Sequence, residues 1–508
     1  MRRFLYATIF LLFYLSIWPA RAQKEATIWY FGNHAGLDFS NGAPRVITNN
    51  AMNTTGGSAV MCDAQSGALL FYTNGYRIWN REHQPMKNAD TTYPLDCPNG
   101  KSQAAMITPV PGSPGRYYVF SLHPPPGTII DESYCSSGAG SQQANVLKYC
   151  MIDMAGDQGK GEVILPNKVL DTGLTEKMTA VRHANGRDYW LVTHQWQSNQ
   201  FRSYLVSTQG VSEAVVTAIG SQHGSESFSF ELSGQLKASP NGKKIAVSLP
   251  SFEAFTYPLE LFDFDSQTGI LSNLINLGDI IFQYGLSFSP DNSKLYAQSL
   301  SPWVKRPYEL IVQYDLQAGD SSAIIASRMS IITGNPYTNI RDIAVQPYVA
   351  MQLAPDGKLY GIFSVTGEPD SRRMVVIANP NAKGFDCEVN AVSFNFPIKG
   401  YWAGLPNFMD GYFNNLTPQN PPEGNCATSN LVVSPNPTTG EISLRLDECN
   451  DPYQLRIYDM TGRLISIQDV SGGGLTNVRL DDFAKGLYIL DLLFEEGKHR
   501  KIVKVVKQ

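Results

Sequence analysis

The chain has 508 residues and a net charge of −5, with 43% hydrophobic and 17% charged residues. That is globular composition, so wholesale disorder is excluded, and so is the broad basic footprint of a nucleic-acid binder. Forty-three Gly and 31 Pro stand beside 25 Tyr, 24 Phe and 7 Trp. Turn formers and aromatics in such numbers favour short strands over a helix bundle.

The chain opens with Arg2 and Arg3, a mostly apolar run from Phe4 to Trp18, and the small-residue pattern Ala20-Arg21-Ala22. These are the three parts of a secretory signal peptide, residues 1–22, cut between Ala22 and Gln23. A membrane anchor would need about 20 apolar residues. No later segment is long and apolar enough to span a bilayer. The mature chain is expected outside the cytoplasm.

Residues 23–415 repeat themselves weakly. Ser239-Pro240-Asn241-Gly242-Lys243-Lys244, Ser289-Pro290-Asp291-Asn292-Ser293-Lys294 and Ala354-Pro355-Asp356-Gly357-Lys358 each end one apolar run and start another. Pro presets φ at such a turn, and Asx or Gly tolerates the bend a hairpin needs. Looser copies place turns at Gly67, Gly115 and Gly186. The mean spacing of about 58 residues is that of a β-propeller blade with generous loops. The expected architecture is therefore all-β, a propeller of about seven blades, with a string of β-sandwiches as the alternative. Ala26–Gly32 reads as its opening strand and Asn407–Phe413 as its closing segment, the two completing one blade.

Several stretches of this part, among them Trp29-Tyr30-Phe31-Gly32, Phe71-Tyr72-Thr73-Asn74-Gly75 and Gly404-Leu405-Pro406-Asn407-Phe408, resemble a family of exported propeller-like proteins of Bacteroidetes. That resemblance implies fold and location and names no activity.

Residues 416–430, rich in Pro and Asn, read as a linker. Beyond it come Pro435-Asn436-Pro437 with Gly440, then Tyr458-Asp459 with Gly462, then Gly486 with Tyr488, and a basic alternating strand through Lys504 to Gln508. Strand-turn units of this kind fit a small Ig-like β-sandwich. The four pieces in this order resemble the type A sorting domain of the type IX secretion system, over residues 431–508. The resemblance implies handling by the type IX machinery, removal by its sortase-like peptidase, and a secreted or outer-membrane cell-surface location.

The chemistry is sparser. His34, His83, His123, His183, His194, His223 and His499 form no metal-binding motif, although His183 and His194 flank one strand closely enough for a shared metal to be considered. Gly100-Lys101-Ser102 lacks the rest of a phosphate loop and reads as a polar connection between strands. Asp263, Asp265, Asp291 and Asp356 recur at turns, which points to backbone capping. Trp79, Trp196 and Trp303 are candidates for sugar or peptide contact and, more simply, for packing between blades. An exported chain with seven Cys invites disulfides. Proximity suggests Cys62 with Cys97, Cys135 with Cys150, and Cys426 with Cys449, but connectivity does not follow from spacing, and an odd count leaves a thiol over. No cofactor is expected, with a structural calcium left open. The leading expectation is non-catalytic binding or adhesion to an extracellular glycan or protein. The alternative is a propeller hydrolase or lyase acting on a glycan or lactone, its groups gathered from several blades.

Overall fold

The computed structural model describes residues 24–94, 97–131, 135, 143–224, 229–250, 256–281, 283–298, 311–331, 350–364, 372–394, 396, 404–414, 431–446, 452–470, 475–494 and 499–508. The signal peptide with Ala22 and Gln23, the linker, Cys426, Cys449 and Trp303 lie outside the described residues. The chain divides into two compact units, Met1–Ser40 with Pro44–Pro418 and Asn41–Ala43 with Gln419–Gln508.

The first unit is built of antiparallel sheets in chain order. Three-stranded sheets form from Ile28–Phe31, Ala35–Asp38 and Arg45–Ile47, and from Ala59–Cys62, Leu69–Thr73 and Ile78–Asn80. A seven-stranded sheet runs from Ala105–Pro109 to Gly210–His223, and four-stranded sheets begin at Leu236, Leu286 and Met351. The seven-stranded sheet is two blades in one. Its strand Glu162–Arg182 pairs through residues 162–174 with Asn145–Asp153, and through residues 174–182 with Tyr189–Gln195. It is thus the outer strand of blade 3 and the inner strand of blade 4. Among the described residues this makes seven blades, whose inner strands pack side by side around an axis.

The turns predicted from sequence are hydrogen-bonded as their residues require. Asn241 Oδ1 accepts from Lys243 N at 3.1 Å, Asp291 Oδ1 from Ser293 N at 2.9 Å and Asp356 Oδ1 from Lys358 N at 3.1 Å. The next residue takes a positive φ in all three: Gly242 (70°), Asn292 (65°) and Gly357 (77°). Gly or Asn is what that backbone tolerates.

Both ends of the unit complete blade 1. Residues 404–408 run parallel to the start of blade 2's inner strand, where Pro406 bridges Ser58 and Asn407 N donates to Ser58 O at 2.7 Å. Phe408 meets Trp29 at 5.9 Å, and Trp29 and Phe39 meet Tyr360 of blade 7 at 5.8 and 5.6 Å. Blade 7 is thereby sealed against blade 1 by buried aromatic rings, each contributing about 1.5–3 kcal/mol by leaving water. Backbones approach closely at this seam. A Cβ on Gly404 would lie 2.1 Å from the Gly56 carbonyl carbon, so no larger residue fits.

One disulfide among the described residues corrects the expected pairings. Cys97 bonds Cys135, 38 residues away, in place of Cys62–Cys97 and Cys135–Cys150. Cys62 ends a buried inner strand and Cys150 lies within a buried strand of blade 3, in separate core clusters. Cys97 and Cys135 sit on connections that meet over Tyr76 and Tyr93. Burial pushes the Cys62 and Cys150 thiols up to about 12, so neither is a nucleophile at neutral pH.

The second unit is a two-sheet sandwich. Leu431–Ser434, Glu441–Leu446 and Leu475–Arg479 form one sheet; Tyr453–Asp459, Leu464–Val470, Gly486–Phe494 and His499–Lys507 form the other. Its core takes alternate residues from both, such as Ile442, Leu444, Leu455, Ile457, Leu490 and Leu492.

Candidate functional site

In each blade the first-to-second and third-to-fourth strand turns fall on one face of the ring. In blades 5 and 6 these are the short turns 239–243, 266–269 and 289–293. By strand order, the second-to-third strand connections and the crossings between blades leave from the opposite face. Polar side chains collect where the axis meets that second face.

Inner strands of neighbouring blades splay too far apart to exchange a full backbone ladder, so their inward N–H and C=O groups need other partners. Side-chain amides, with a donor and an acceptor each, supply them. Gln103 Oε1 accepts from Met178 N (3.0 Å) and Leu236 N (2.8 Å), while its Nε2 donates to Leu236 O and to Asn407 Oδ1, both at 3.1 Å. Asn407 Nδ2 donates to Met178 O at 3.0 Å and Ala105 O at 3.3 Å. Gln235 Oε1 does the same for Leu286 N and Met351 N.

Beyond Asn407, the turn of 3₁₀ helix Asp410–Phe413 packs against the inner strands of blades 4 and 5 toward the first face. There Asp410 Oδ1 lies 3.7 Å from Lys237 Nζ, and Gln352 bonds both: Lys237 Nζ donates to it at 2.5 Å and it donates to Asp410 at 3.3 Å. Burial drives Asp410 up and Lys237 down, each partly restored by the other's charge. Such a pair favours one arrangement of the segment more than it adds net stability.

At the second face Glu176 Oε2 accepts from Ser102 N at 2.8 Å and Ser102 Oγ at 2.9 Å. Ser102 Oγ in turn accepts from Tyr284 OH at 2.8 Å and Gly234 N at 3.0 Å. Lys177 Nζ donates to Glu231 O at 2.6 Å and Leu232 O at 3.3 Å. Burial lowers Lys177 to about 7, with Glu176 and Glu231 opposing the shift. Next to it His194 and His223 stack with ring centroids 3.7 Å apart. All four ring nitrogens are buried without a partner among the described residues, as is Lys101 Nζ. Desolvation holds His194 at about 3 and His223 well below the usual range, so both rings are neutral.

The structure separates His183 from His194. They sit at opposite ends of the strand Tyr189–Gln195, and His183 stacks on Trp190 instead. His194 meets His223, which sequence spacing could not reveal. Lys101 and Ser102, expected in a polar connection, are 0% and 2% exposed and belong to the axis. Of the carboxylates expected to cap turns, Asp265 accepts from Gln267 N and Thr268 Oγ1 and Asp356 also accepts from Tyr360 OH at 2.7 Å, whereas Asp263 lies within the strand Thr256–Asp265 and accepts from the side chains of Lys244 and Asn273 instead of capping a backbone. Trp79 is buried against Tyr72. Among the described residues no three His, Cys, Asp or Glu gather as a metal cage.

In the sandwich, most of the motif residues meet. Asn436 Nδ2 donates to Lys504 O at 2.8 Å and its Oδ1 accepts from Val506 N at 3.0 Å, which ties the Pro435–Pro437 segment to the last strand. A Cβ on Gly440 would lie 2.1 Å from Asp481 Oδ1, so a larger residue there displaces that exposed carboxylate. Lys507 Nζ is enclosed by the carbonyls of Leu480, Asp481 and Phe483. Tyr488, two residues after Gly486, donates its hydroxyl to Ala484 O at 2.7 Å. Tyr458 lies one residue ahead of a separate turn. There Asp459 Oδ1 accepts from Thr461 N, Thr461 Oγ1 and Arg463 N, and these bonds hold its carboxyl near 2; Gly462 has φ 82°.

A β-propeller followed by such a sandwich defines the architectural class, an all-β propeller with a C-terminal sandwich domain. Residues 432–508 match the secretion system C-terminal sorting domain. The chain thus carries a type IX sorting domain, which places the protein at a secreted or outer-membrane cell-surface location. No described helix is long and apolar enough to cross a membrane. Similar solved structures include PorZ, an essential surface component of the type IX secretion system of Porphyromonas gingivalis. It is 12% identical over 95% of this chain and 75% of its own, with a TM-score of 0.34. A quinonprotein alcohol dehydrogenase-like protein of Bacteroides thetaiotaomicron is 12% identical over 80% of this chain and 94% of its own, at 0.27. Comparison with curated proteins gave no match.

Proposed function

We propose that the propeller is a non-catalytic binding and adhesion module, delivered to the surface by the type IX machinery and freed of its tail by a sortase-like peptidase. The observation that carries this reading is the use made of the axial groups. Glu176, Lys177 and Lys237 are committed to partners within the fold, and Asp410 is held through Oδ1 by Lys237 and Gln352. A catalytic acid or base needs a free proton-transfer position near a substrate. By strand order, the second-to-third strand connections and the blade crossings leave from one face, and such connections are the usual place for recognition on a rigid scaffold.

One observation favours the alternative, a hydrolase or lyase for a glycan or lactone. The four ring nitrogens of His194 and His223 have no partner among the described residues, beside an amine lowered to about 7. Both rings are fully enclosed, which weighs against substrate contact. The deciding experiment probes glycan and extracellular-protein arrays with the purified chain and assays chromogenic glycosides and lactones in parallel. Saturable binding without turnover is expected. Turnover abolished by His194→Gln would reverse the reading.

A further inference from the structure

Away from the axis, a cavity of about 270 Å³ lies between blades 2 and 3. Blade 2 contributes Thr73 and Tyr76, the crossing to blade 3 contributes Asn88 and Asp90, and blade 3 contributes Ser121 and Asn167. Val119, Ile78 and Val163 give it an apolar floor.

Its wall is fixed before any ligand arrives. Asp90 Oδ1 accepts from Thr92 N at 2.8 Å and Thr92 Oγ1 at 2.5 Å, and its Oδ2 accepts from Asn167 Nδ2 at 2.9 Å. Burial raises the Asp90 carboxyl, but these bonds and the nearby His123 more than offset that and leave it ionised. Ser121 Oγ lies 2.8 Å from His123 Nε2, and His123 Nδ1 lies 3.0 Å from Tyr93 OH. Tyr93 stacks flat on Tyr76, with centroids 3.9 Å apart, and the Cys97–Cys135 disulfide packs against that pair. A wall this constrained loses little entropy when it binds.

The lining also selects. Its volume, at the low end for ligand pockets, admits one ring rather than an oligomer. Among the described residues its lining has the Asp90 carboxylate and no Lys, Arg or His, and the adjacent Arg77 guanidinium is engaged by the Asp90 carbonyl at 3.1 Å, so a phosphate, a uronic acid or an amino-acid carboxylate would meet the repulsion of that carboxylate. Tyr76 already gives one ring face to Tyr93, which leaves no aromatic sandwich for a nucleobase. What remains is carboxylate, amide and hydroxyl groups around an apolar floor, the complement of a ring bearing several hydroxyls on an apolar face.

We propose that this interblade cleft binds a single neutral sugar ring, the terminal unit of a glycan. The proposal rests on the binding reading given above and supplies its ligand class. The test titrates the full chain with glucose, galactose, mannose, fucose and N-acetylglucosamine, with glucuronic acid as the anionic control, by calorimetry and saturation-transfer NMR. At least one neutral sugar should bind at about millimolar affinity, as expected for so small a ligand, and glucuronic acid should not. Asn167→Leu should weaken that binding at least about tenfold. Asn88→Gly is the second variant: Asn88 is exposed with φ 60°, so glycine removes the side chain and keeps the backbone. No neutral sugar bound up to about 50 mM, or glucuronic acid bound equally well, would overturn the proposal. If the chain binds array glycans or proteins but both variants bind as wild type does, the cleft assignment falls and the binding reading stands. If nothing binds in any assay, both fall.

Discussion

Asn407 is the residue on which closure of the ring turns. Its amide joins Gln103, Ala105 and Met178, so one side chain from the end of the propeller holds strands from blades 3 and 4. Replacing it with Leu keeps the volume and strands those groups in a buried site. We expect Asn407→Leu to cost about 2–4 kcal/mol, read as a lower urea midpoint, whereas wild-type stability would show that water replaces the amide. The His194–His223 pair gives a pH prediction. Unfolded His titrates near 6.5, the folded His194 near 3, and His223 well below its usual range. Below pH 6.5 the unfolded chain takes up protons that the native rings refuse. Stability that is complete above 6.5 should therefore fall as the pH drops towards 3, by up to about 1.4 kcal/mol per His per pH unit. The neighbouring Lys177 cation works in the same direction. The double variant His194→Gln, His223→Gln should flatten the slope between pH 6.5 and 5, above the range where ordinary carboxylates titrate; an unchanged slope would refute the assignment. Neither hub was legible in the sequence. A lone Asn or His carries no periodicity, and the amide partners of Asn407 lie 229 to 304 residues away.

Turns were the legible elements, because their chemistry is local. Ser-Pro-Asn-Gly and Ser-Pro-Asp-Asn specify a capped turn with a positive φ whatever the rest of the chain does, and so their recurrence exposed the blade period. The strand Glu162–Arg182 was not legible. Pro166, Asn167 and Gly173 are residue types that disfavour a strand interior, yet the strand absorbs them as register shifts against Asn145–Asp153, with Gly173 at φ 73°. The disulfide was misread for a different reason: nearness in sequence says nothing about which two connections cross the same patch of surface. Cys97–Cys135 closes a loop of 38 residues, and in a chain-entropy account such a link is worth about 2–4 kcal/mol. Cys135→Ser should lower the urea midpoint accordingly. If the link also braces the interblade cleft, the same variant should weaken any ligand held there. Equal stability of wild type and variant would mean that Tyr76, Tyr93 and Ile130 hold the connection unaided.

For the whole molecule, the decisive boundary lies after the segment that closes the ring. Residues 404–414 belong to the propeller's own core through Leu405, Phe408, Met409, Tyr412 and Phe413, and the sandwich core draws only on residues from 431 onward. Two truncations therefore have opposite outcomes. Ending the chain at residue 415 removes the sorting domain and keeps Asn407 and Asp410. The product should fold with an unchanged thermal midpoint and accumulate in the periplasm, because the tail directs export and, among the described residues, the propeller core is built from residues up to Phe413. Ending it at residue 403 also removes the inner segment of blade 1. The ring of Trp29 loses Phe408, Lys237 loses Asp410, and the amides of Gln103 and Gln352 lose partners. A propeller blade buries its faces only against its neighbours, so an open ring should unfold at much lower denaturant and with reduced cooperativity. Display is read by surface proteolysis, location by fractionation and folding by calorimetry. Mass spectrometry of surface protein should find Lys498 to Gln508 missing. Normal surface display of the chain ending at 415 would overturn the role given to the tail. Equal stability of the two truncated chains would show instead that the ring closes without residues 404–414, against the hydrogen bonds that tie Asn407 to three blades.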